Sequence, residues 1–341
     1  MLIDPTTYHS LEHAQLERER LFPRVWLVAA HLSQLPAPSS VLPFSVGSDP
    51  LLLVRDGERV RAFHDVCRHR GAQLSRGSGP CTRLRCAYHG WEYGLDGALA
   101  LAPGASPTQA QDRPGLHPIA CEVRHGWVWI AMEPERSLDA WLEPIAALLS
   151  NTPSLRVRVE HAHRLEVPCN WKVSCDVHNE AYHLTTLHPE LKGLIDPEQI
   201  EVEAHGLHTH FRIPIAGPLS VRIKHQLFLF PNVQLNWTEG DDAIELYRHW
   251  PHKSSPSQAH FEELRLGPGL PTSAGAMESF AFGERSFGPI TDADLAMLPI
   301  LQAGLSSRGA EPLRLHRLEL PIAHMHKGIA QFIEAEFRGA P

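Results

Sequence analysis

The chain has 341 residues and a mass of 38.0 kDa, enough for two domains or one large one. Its 31 basic and 39 acidic residues give a net charge of -8, spread along the chain rather than gathered in a tail. That balance argues against a general phosphate-binding surface, so no nucleic-acid partner is expected. With 43% hydrophobic and 21% charged residues, the composition excludes a disordered chain. There are 23 histidines against only 5 Met and 5 Tyr. Histidine is the commonest metal ligand, so the question is which of them bind something.

The polar first twenty residues lack a basic segment followed by an apolar one. No apolar run reaches the ~18 residues a membrane span needs. No signal peptide and no membrane partner are therefore expected, and the location is read as cytoplasmic. The six cysteines, Cys67, Cys81, Cys86, Cys121, Cys169 and Cys175, are too sparse for a disulfide scaffold. In a reducing compartment, clustered cysteines point to metal or catalysis.

Residues 7–22 read as an amphipathic helix, and the Pro- and Ser-rich stretch 35–40 as a linker. Residues 41–135 read as β-rich, with short runs at 51–55, 60–65 and 126–132 and hairpin signals at Asp56-Gly57 and Asp96-Gly97. Residues 137–149 read as a short helix. Alternating strands recur at 156–167 and between 201 and 266, and helices are expected at 170–187, 291–305 and 320–337. The fold class expected is α+β. A β-rich domain precedes a domain with an antiparallel sheet enclosed by helices. The boundaries are 1–40 for the N-terminal helix and linker, 41–150 for the first domain and 151–341 for the second.

Two constellations carry chemistry. In the first, Cys67-Arg68-His69 is followed after sixteen residues by Cys86-Ala87-Tyr88-His89. Each loop offers one thiolate and one imidazole, and Gly71 and Gly90 let the backbone turn around a metal. Four such ligands can hold zinc, but zinc sites usually group like ligands. A Rieske [2Fe–2S] cluster needs two Cys on one iron and two His on the other, and the mixed loops favour it. Cys81 lies between the loops and reads as a small buried hydrophobe.

In the second, Asp176, Glu180 and His183 lie at helical spacing, and His188 follows five residues later. Five residues turn a helix by about 500°, roughly 140° off face, so the helix should loosen near Thr185-Thr186 before Pro189. Two histidines and a carboxylate with open positions form the facial triad of non-haem Fe(II) oxygenases. A chance histidine-rich helix is the competing reading.

Cys67-Arg-His-Arg-Gly and Cys86-Ala-Tyr-His-Gly-Trp91 resemble the Rieske motif of the Rieske non-haem iron oxygenases, the ring-hydroxylating oxygenase α-subunit family. Asn170-Trp-Lys, followed by Glu180-x-x-His183-x₄-His188, resembles the catalytic-iron motif of the same family. Leu21-Phe22-Pro23-Arg24-Val25-Trp26 and Leu229-Phe230-Pro231-Asn232 extend the likeness along most of the chain. The resemblance implies that Cys67, His69, Cys86 and His89 bind the cluster and that His183 and His188 bind a mononuclear iron. It implies that Glu180 bridges the Rieske histidine of one subunit to an iron-ligand histidine of the next. It further implies a third iron ligand about eight residues before a Gln-x-Gly. Here that is Asp294 before Gln302-Ala303-Gly304, with Asp292 as the alternative, on a helix that Thr291 can cap. The family often carries an Asn three or four residues before the bridging acid, where this chain has Val177 and Asp176.

By the same resemblance the chain is the oxygenase component of a multicomponent system. It uses O₂ and electrons from NAD(P)H, passed by a separate reductase and a ferredoxin where one is present. It would hydroxylate or demethylate a small organic or aromatic substrate. The size fits α-only homotrimers, whereas Glu-Ala-Tyr-His looks like the ring-hydroxylating and quaternary-ammonium branches. A cis-dihydroxylating aromatic-ring dioxygenase is the alternative within the family. A zinc-binding interaction protein and a Rieske electron carrier are the alternatives outside it.

Overall fold

The structure, a computed structural model, describes residues 2–75, 77–104, 114–217, 220–269 and 277–334. Contacts divide the chain into two compact units, Phe22–Trp141, and Met1–Leu21 with Leu142–Pro341. The first residues thus group with the later unit, and the Pro- and Ser-rich stretch lies inside the earlier one, where Ser40 opens a strand.

The Phe22–Trp141 unit holds a seven-stranded antiparallel sheet. Its order is Leu27–His31, Trp127–Ala131, Pro118–Arg124, Arg59–His64, Asp49–Asp56, Ser40–Val46 and Gly79–Pro80. Leu51 to Val54 are all fully buried, which explains their continuous apolar run. Gly57, at φ +63°, makes the tight turn that the Asp-Gly pair signals. A second sheet of Leu84–Arg85, Glu92–Tyr93 and Leu99–Leu101 carries a loop between its first two strands. Cys67 and Cys86 lie in one apolar cluster with Leu52, Phe63, Trp91 and Tyr93.

The second unit is built on an eight-stranded sheet. Its order is Glu201–His205, His208–Ala216, Val221–Leu229, Val233–Thr238, Ile244–Pro251, Ala259–Gly267, Arg158–Val167 and Glu278–Phe280. All neighbours are antiparallel except the last pair. The Trp171–His178 helix packs on the Ile244–Pro251 and Ala259–Gly267 strands and against the Pro289–Leu305 helix. The Leu320–Ile333 helix covers the Glu201–His205 edge. Residues 335–337 of the expected terminal helix lie outside the described residues.

Four expected helices differ in detail. The N-terminal one is a regular helix only over Leu11–Leu16 and widens to π geometry at Glu17–Leu21. The 137–149 segment breaks at Glu143–Ile145, where Pro144 lacks a donor. The late helix begins at Pro289, two residues before Thr291. The helix over 170–187 stops at His178 and resumes only at Leu184–Leu187. The break therefore falls at 179–183 rather than at Thr185-Thr186. Glu180 explains it, because its carboxylate accepts the N–H groups of Tyr182 and His183 and so starts the next turn.

The same segment is tied to both ends of the chain. Asn170 caps its helix by accepting the Lys172 N–H at 3.0 Å. Trp171 Nε1 donates to Glu17 Oε2 at 2.8 Å, and Lys172 Nζ donates to Glu17 Oε1 at 2.5 Å. Glu17 and Lys172 are 2% and 1% exposed, so the two charges neutralise each other out of water. Gln302 Oε1 accepts the buried Asn170 N–H at 2.7 Å, while Gln302 Nε2 donates to the Tyr8 carbonyl at 3.3 Å.

Two predictions follow from these ties. Glu17→Ala leaves the Lys172 ammonium buried without a counter-charge and should cost about 3–5 kcal/mol. A denaturant melt checks it, and a midpoint within error of the parent would contradict it. Gln302→Leu strands the Asn170 N–H and should cost about 1–3 kcal/mol in the same melt.

Candidate metal centres

The two loops of the first unit share one backbone design. In each, the Cys N–H donates to the carbonyl five residues on, Cys67 to Ala72 and Cys86 to Trp91, both at 2.8 Å. In each, the Gly four residues on donates back to the Cys carbonyl, Gly71 and Gly90, both at 3.0 Å. Those glycines sit at φ +76° and +71°, which a side chain rarely adopts. Asp65, fully buried, accepts from Leu74 N, Ser75 N and Ser75 Oγ and so fixes the end of the first loop.

The result puts both thiols inside and both imidazoles outside. Cys67 and Cys86 are each 2% exposed, whereas His69 and His89 are exposed. The His69 and His89 ring centroids are 4.6 Å apart, and His69 stacks flat on Trp91 at 4.8 Å. The Tyr93 hydroxyl lies 3.3 Å from Cys67 Sγ and accepts the Arg68 N–H at 3.0 Å. Burial raises the Cys86 thiol, but the N–H groups of Tyr88 and His89 and the Cys67 side chain outweigh it and lower its pKa. Cys81 is half-buried against the same apolar cluster, with its Sγ 2.9 Å from the Arg83 carbonyl.

In the second unit the helix break carries the chemistry. One ligand atom each of His183, His188 and Asp294 lies within 4.8 Å of the others. Asp294 Oδ1 is 3.4 Å from His183 Nε2 and 3.0 Å from His188 Nε2. His188 is fully buried, and both its ring nitrogens and Asp294 Oδ1 make no hydrogen bond. Buried polar atoms left that way call for a partner such as an ion, and two imidazoles with one carboxylate suit Fe(II). Glu180 Oε1 holds His183 Nδ1, which leaves Nε2 facing Asp294. Burial pulls His183 down, but Asp294 and Glu180 outweigh it and raise its pKa to about 9.

Asp292 lies outside this cluster. Its carboxylate accepts from Ser286 Oγ at 2.5 Å and from Phe287 N at 2.7 Å, a tie at the helix start. Asp176 also has its own partner, the Tyr8 hydroxyl, which donates to Oδ2 at 2.6 Å. Burial and the Asp176 charge raise the Tyr8 phenol well above its usual pKa, so it remains a donor. His326 Nε2 completes the group at 3.1 Å from the Tyr8 hydroxyl.

Two contributors, His178 and Tyr93, are silent in the sequence pattern. His178 is buried beside the triad, its Nδ1 donating to the Ser174 carbonyl at 2.8 Å and its Nε2 without a partner. Burial lowers its pKa and the Asp294 charge opposes that, so it is a neutral neighbour of the cluster. Tyr93 acts on the Cys67 sulfur, and only its position just past the second loop could have marked it, whereas Trp91, which ends the second loop's motif, stacks on the His69 ring.

A cavity of about 690 Å³ reaches His183 and is lined by Glu180, Tyr182, Thr186, Met297, Leu301 and His316, among others. A neighbouring cavity shares Val177, Glu180 and Leu301 and adds Tyr8, Asp176, Arg314 and Glu319. Burial raises the Glu319 pKa; the His316 N–H opposes this, while the charges of Glu180 and Asp176 add to it. No described helix is long and apolar enough to cross a membrane.

Comparison with known proteins places these centres in context. Residues 25–116 match the Rieske [2Fe-2S] domain, and residues 154–226 match the catalytic domain of ring hydroxylating alpha subunits. The carnitine monooxygenase oxygenase subunit of Acinetobacter pittii is 26% identical over 321 residues, covering 89% of this chain and 84% of that one. Chloroplastic choline monooxygenase of Beta vulgaris is 34% identical over 198 residues, 55% of this chain and 44% of that one. A quaternary ammonium Rieske monooxygenase in complex with L-carnitine superposes with a TM-score of 0.81 at 22% identity, covering 97% of this chain and 95% of that one. Naphthalene 1,2-dioxygenase of Rhodococcus sp. superposes at 0.80 with 17% identity, over 98% and 95%. At such identities the structural likeness shows a shared fold. A Rieske [2Fe–2S] domain and a ring-hydroxylating catalytic domain on one chain imply a Rieske cluster and a mononuclear iron, and the chain belongs to the Rieske non-haem iron oxygenases.

Proposed function

We propose that this oxygenase component acts on a small quaternary ammonium compound, with electrons from NAD(P)H supplied by a separate reductase. In this reading Cys67, His69, Cys86 and His89 hold the cluster, and His183, His188 and Asp294 hold the iron. Such an iron, with open positions, supplies the activation of O₂. The observation that carries the reading is the set of buried, hydrogen-bond-free atoms of His188 and Asp294 beside His183 and a carboxylate-walled cavity.

The chain's own residues have distinct tasks. The Tyr93 hydroxyl and the N–H groups of Tyr88 and His89 face the sulfurs, where such donors set a cluster's potential. The exposed His69 and His89 rings offer a route for electrons to leave. Glu180 orients His183 through Nδ1, as a carboxylate does for a ligating imidazole. Its assignment is the bridge between His89 of one subunit and His183 of the next, in a cytoplasmic homotrimer served by a reductase and, where present, a ferredoxin.

Two features favour a cationic substrate. Asp176, Glu180 and Glu319 line the neighbouring cavity with a single Arg314, and the charges of Glu180 and Asp176 add to the rise that burial gives the Glu319 pKa. Tyr182, exposed and stacked on His316 at 4.2 Å, offers an aromatic face of the kind trimethylammonium groups prefer. The relatives include proteins named as carnitine, choline and glycine betaine monooxygenases. These relatives are named as monooxygenases, so the cis-dihydroxylating alternative is less favoured.

The substrate class is tested by reconstituting the system with a reductase and NADH and weighing the products. Carnitine, choline, glycine betaine and naphthalene are the probes. The expected result is one oxygen gained, or an N-substituent lost, on an ammonium compound. A dihydrodiol from naphthalene with no ammonium product would contradict it. For the bridge, Glu180→Gln should leave iron content unchanged and slow turnover by at least about tenfold. Turnover equal to the parent would remove Glu180 from the electron route.

A further inference from the structure

The eight-stranded sheet carries a second group of metal-type donors that the oxygenase reading does not use. Glu203 and His205 lie two apart on the edge strand Glu201–His205, so both side chains leave the same face. His210, on the adjacent strand, sits directly opposite Glu203 in the antiparallel ladder. One donor atom of each of the three lies within 4.8 Å of the others.

Their surroundings suit ligation rather than a closed hydrogen-bond network. His205 Nε2 is a buried atom with no hydrogen-bond partner, 3.4 Å from Glu203 Oε2. His210 is 2% exposed and held by a relay. Its Nε2 is 2.9 Å from His225 Nδ1, and His225 Nε2 is 3.0 Å from Glu239 Oε1. With protons running toward Glu239, each Nε2–H donates outward and His210 keeps a lone pair on Nδ1. That is how ligating histidines are usually oriented, by an imidazole or carboxylate behind them. The relay is also rigid: the His210 and His225 rings are parallel within 2°, and His225 stacks on Trp237 at 4.8 Å.

We propose that Glu203, His205 and His210 form a second metal site, separate from the iron triad, for a divalent ion of the zinc class. Two imidazoles and a carboxylate are a zinc donor set, with bonds of about 2.0–2.2 Å. Donors at the corners of such a site stand about 3.3 Å apart, so the present cluster must close by up to about 1.5 Å. Glu203 is exposed and His205 half-buried, so both are free to do so and the ion can enter from solvent. A bound ion would clamp the edge strand to its neighbour and stabilise the folded chain in proportion to its occupancy.

The test uses the iron-loaded enzyme, dialysed against micromolar zinc and cleared of excess, with zinc and iron counted together by elemental mass spectrometry. The expected result is one zinc per chain with no loss of iron, and an unfolding temperature that rises with zinc. Glu203→Gln and His205→Asn change residues near the surface and should each abolish both the extra zinc and the rise, with iron content unchanged. Zinc gained only in exchange for iron, no zinc gained, or zinc retained in full by both variants would overturn the proposal.

Discussion

Asp294 meets His183 and His188 only because two helices distant in sequence are pinned to each other. The pin is Gln302, whose side-chain oxygen takes the Asn170 N–H at the start of the Trp171–His178 helix. Asp294, Leu298 and Gln302 recur every four residues on the buried stripe of the Pro289–Leu305 helix. The register that seats Gln302 therefore also aims Asp294. Left alone, the buried atoms of His188 and Asp294 would each cost about 1–3 kcal/mol for want of a partner. An ion among them removes that cost, so folding and metal binding favour the same arrangement.

The first twenty residues belong to the same construction. Glu17 grips Trp171 and Lys172, and Tyr8 grips Asp176 and lends its carbonyl to Gln302. The N-terminal segment thus holds the start of the helix that leads to Glu180 and His183. The π-type widening at Glu17–Leu21 accompanies that grip. In the other unit a different economy operates. One hydrogen-bond pattern, closed by a left-handed glycine, is used twice to present a buried thiol and an exposed imidazole.

Much of this was legible in the residues. Mixed Cys-x-His and Cys-x-x-His loops read as two equivalent turns, and alternation at 201–266 read as strands, because both depend on local spacing. The five-residue interval from His183 to His188 pointed to loosening at Thr185-Thr186, but those residues lie within the Leu184–Leu187 helix and the irregular stretch precedes it. The break falls at 179–183 because Glu180 accepts two N–H groups, a competition between side chain and backbone that periodicity does not register. Asp292 and Asp294 looked alike as acids of a first turn. They separate only through tertiary context, Asp292 bonding Ser286 and Phe287 while Asp294 faces the histidines. His178, Tyr93 and the pairing of Glu203 with His210 depend on long-range contacts that no single-sequence spacing encodes.

Iron analysis of the Asp294→Ala protein, read with its Rieske EPR signal, tests the triad most directly. The parent should hold about three irons per chain, two in the cluster and one at the triad. Asp294→Ala should lose one of the three and keep the full Rieske signal, while Asp292→Ala should keep all three. Full iron in Asp294→Ala, with the loss appearing in Asp292→Ala instead, would contradict the assignment.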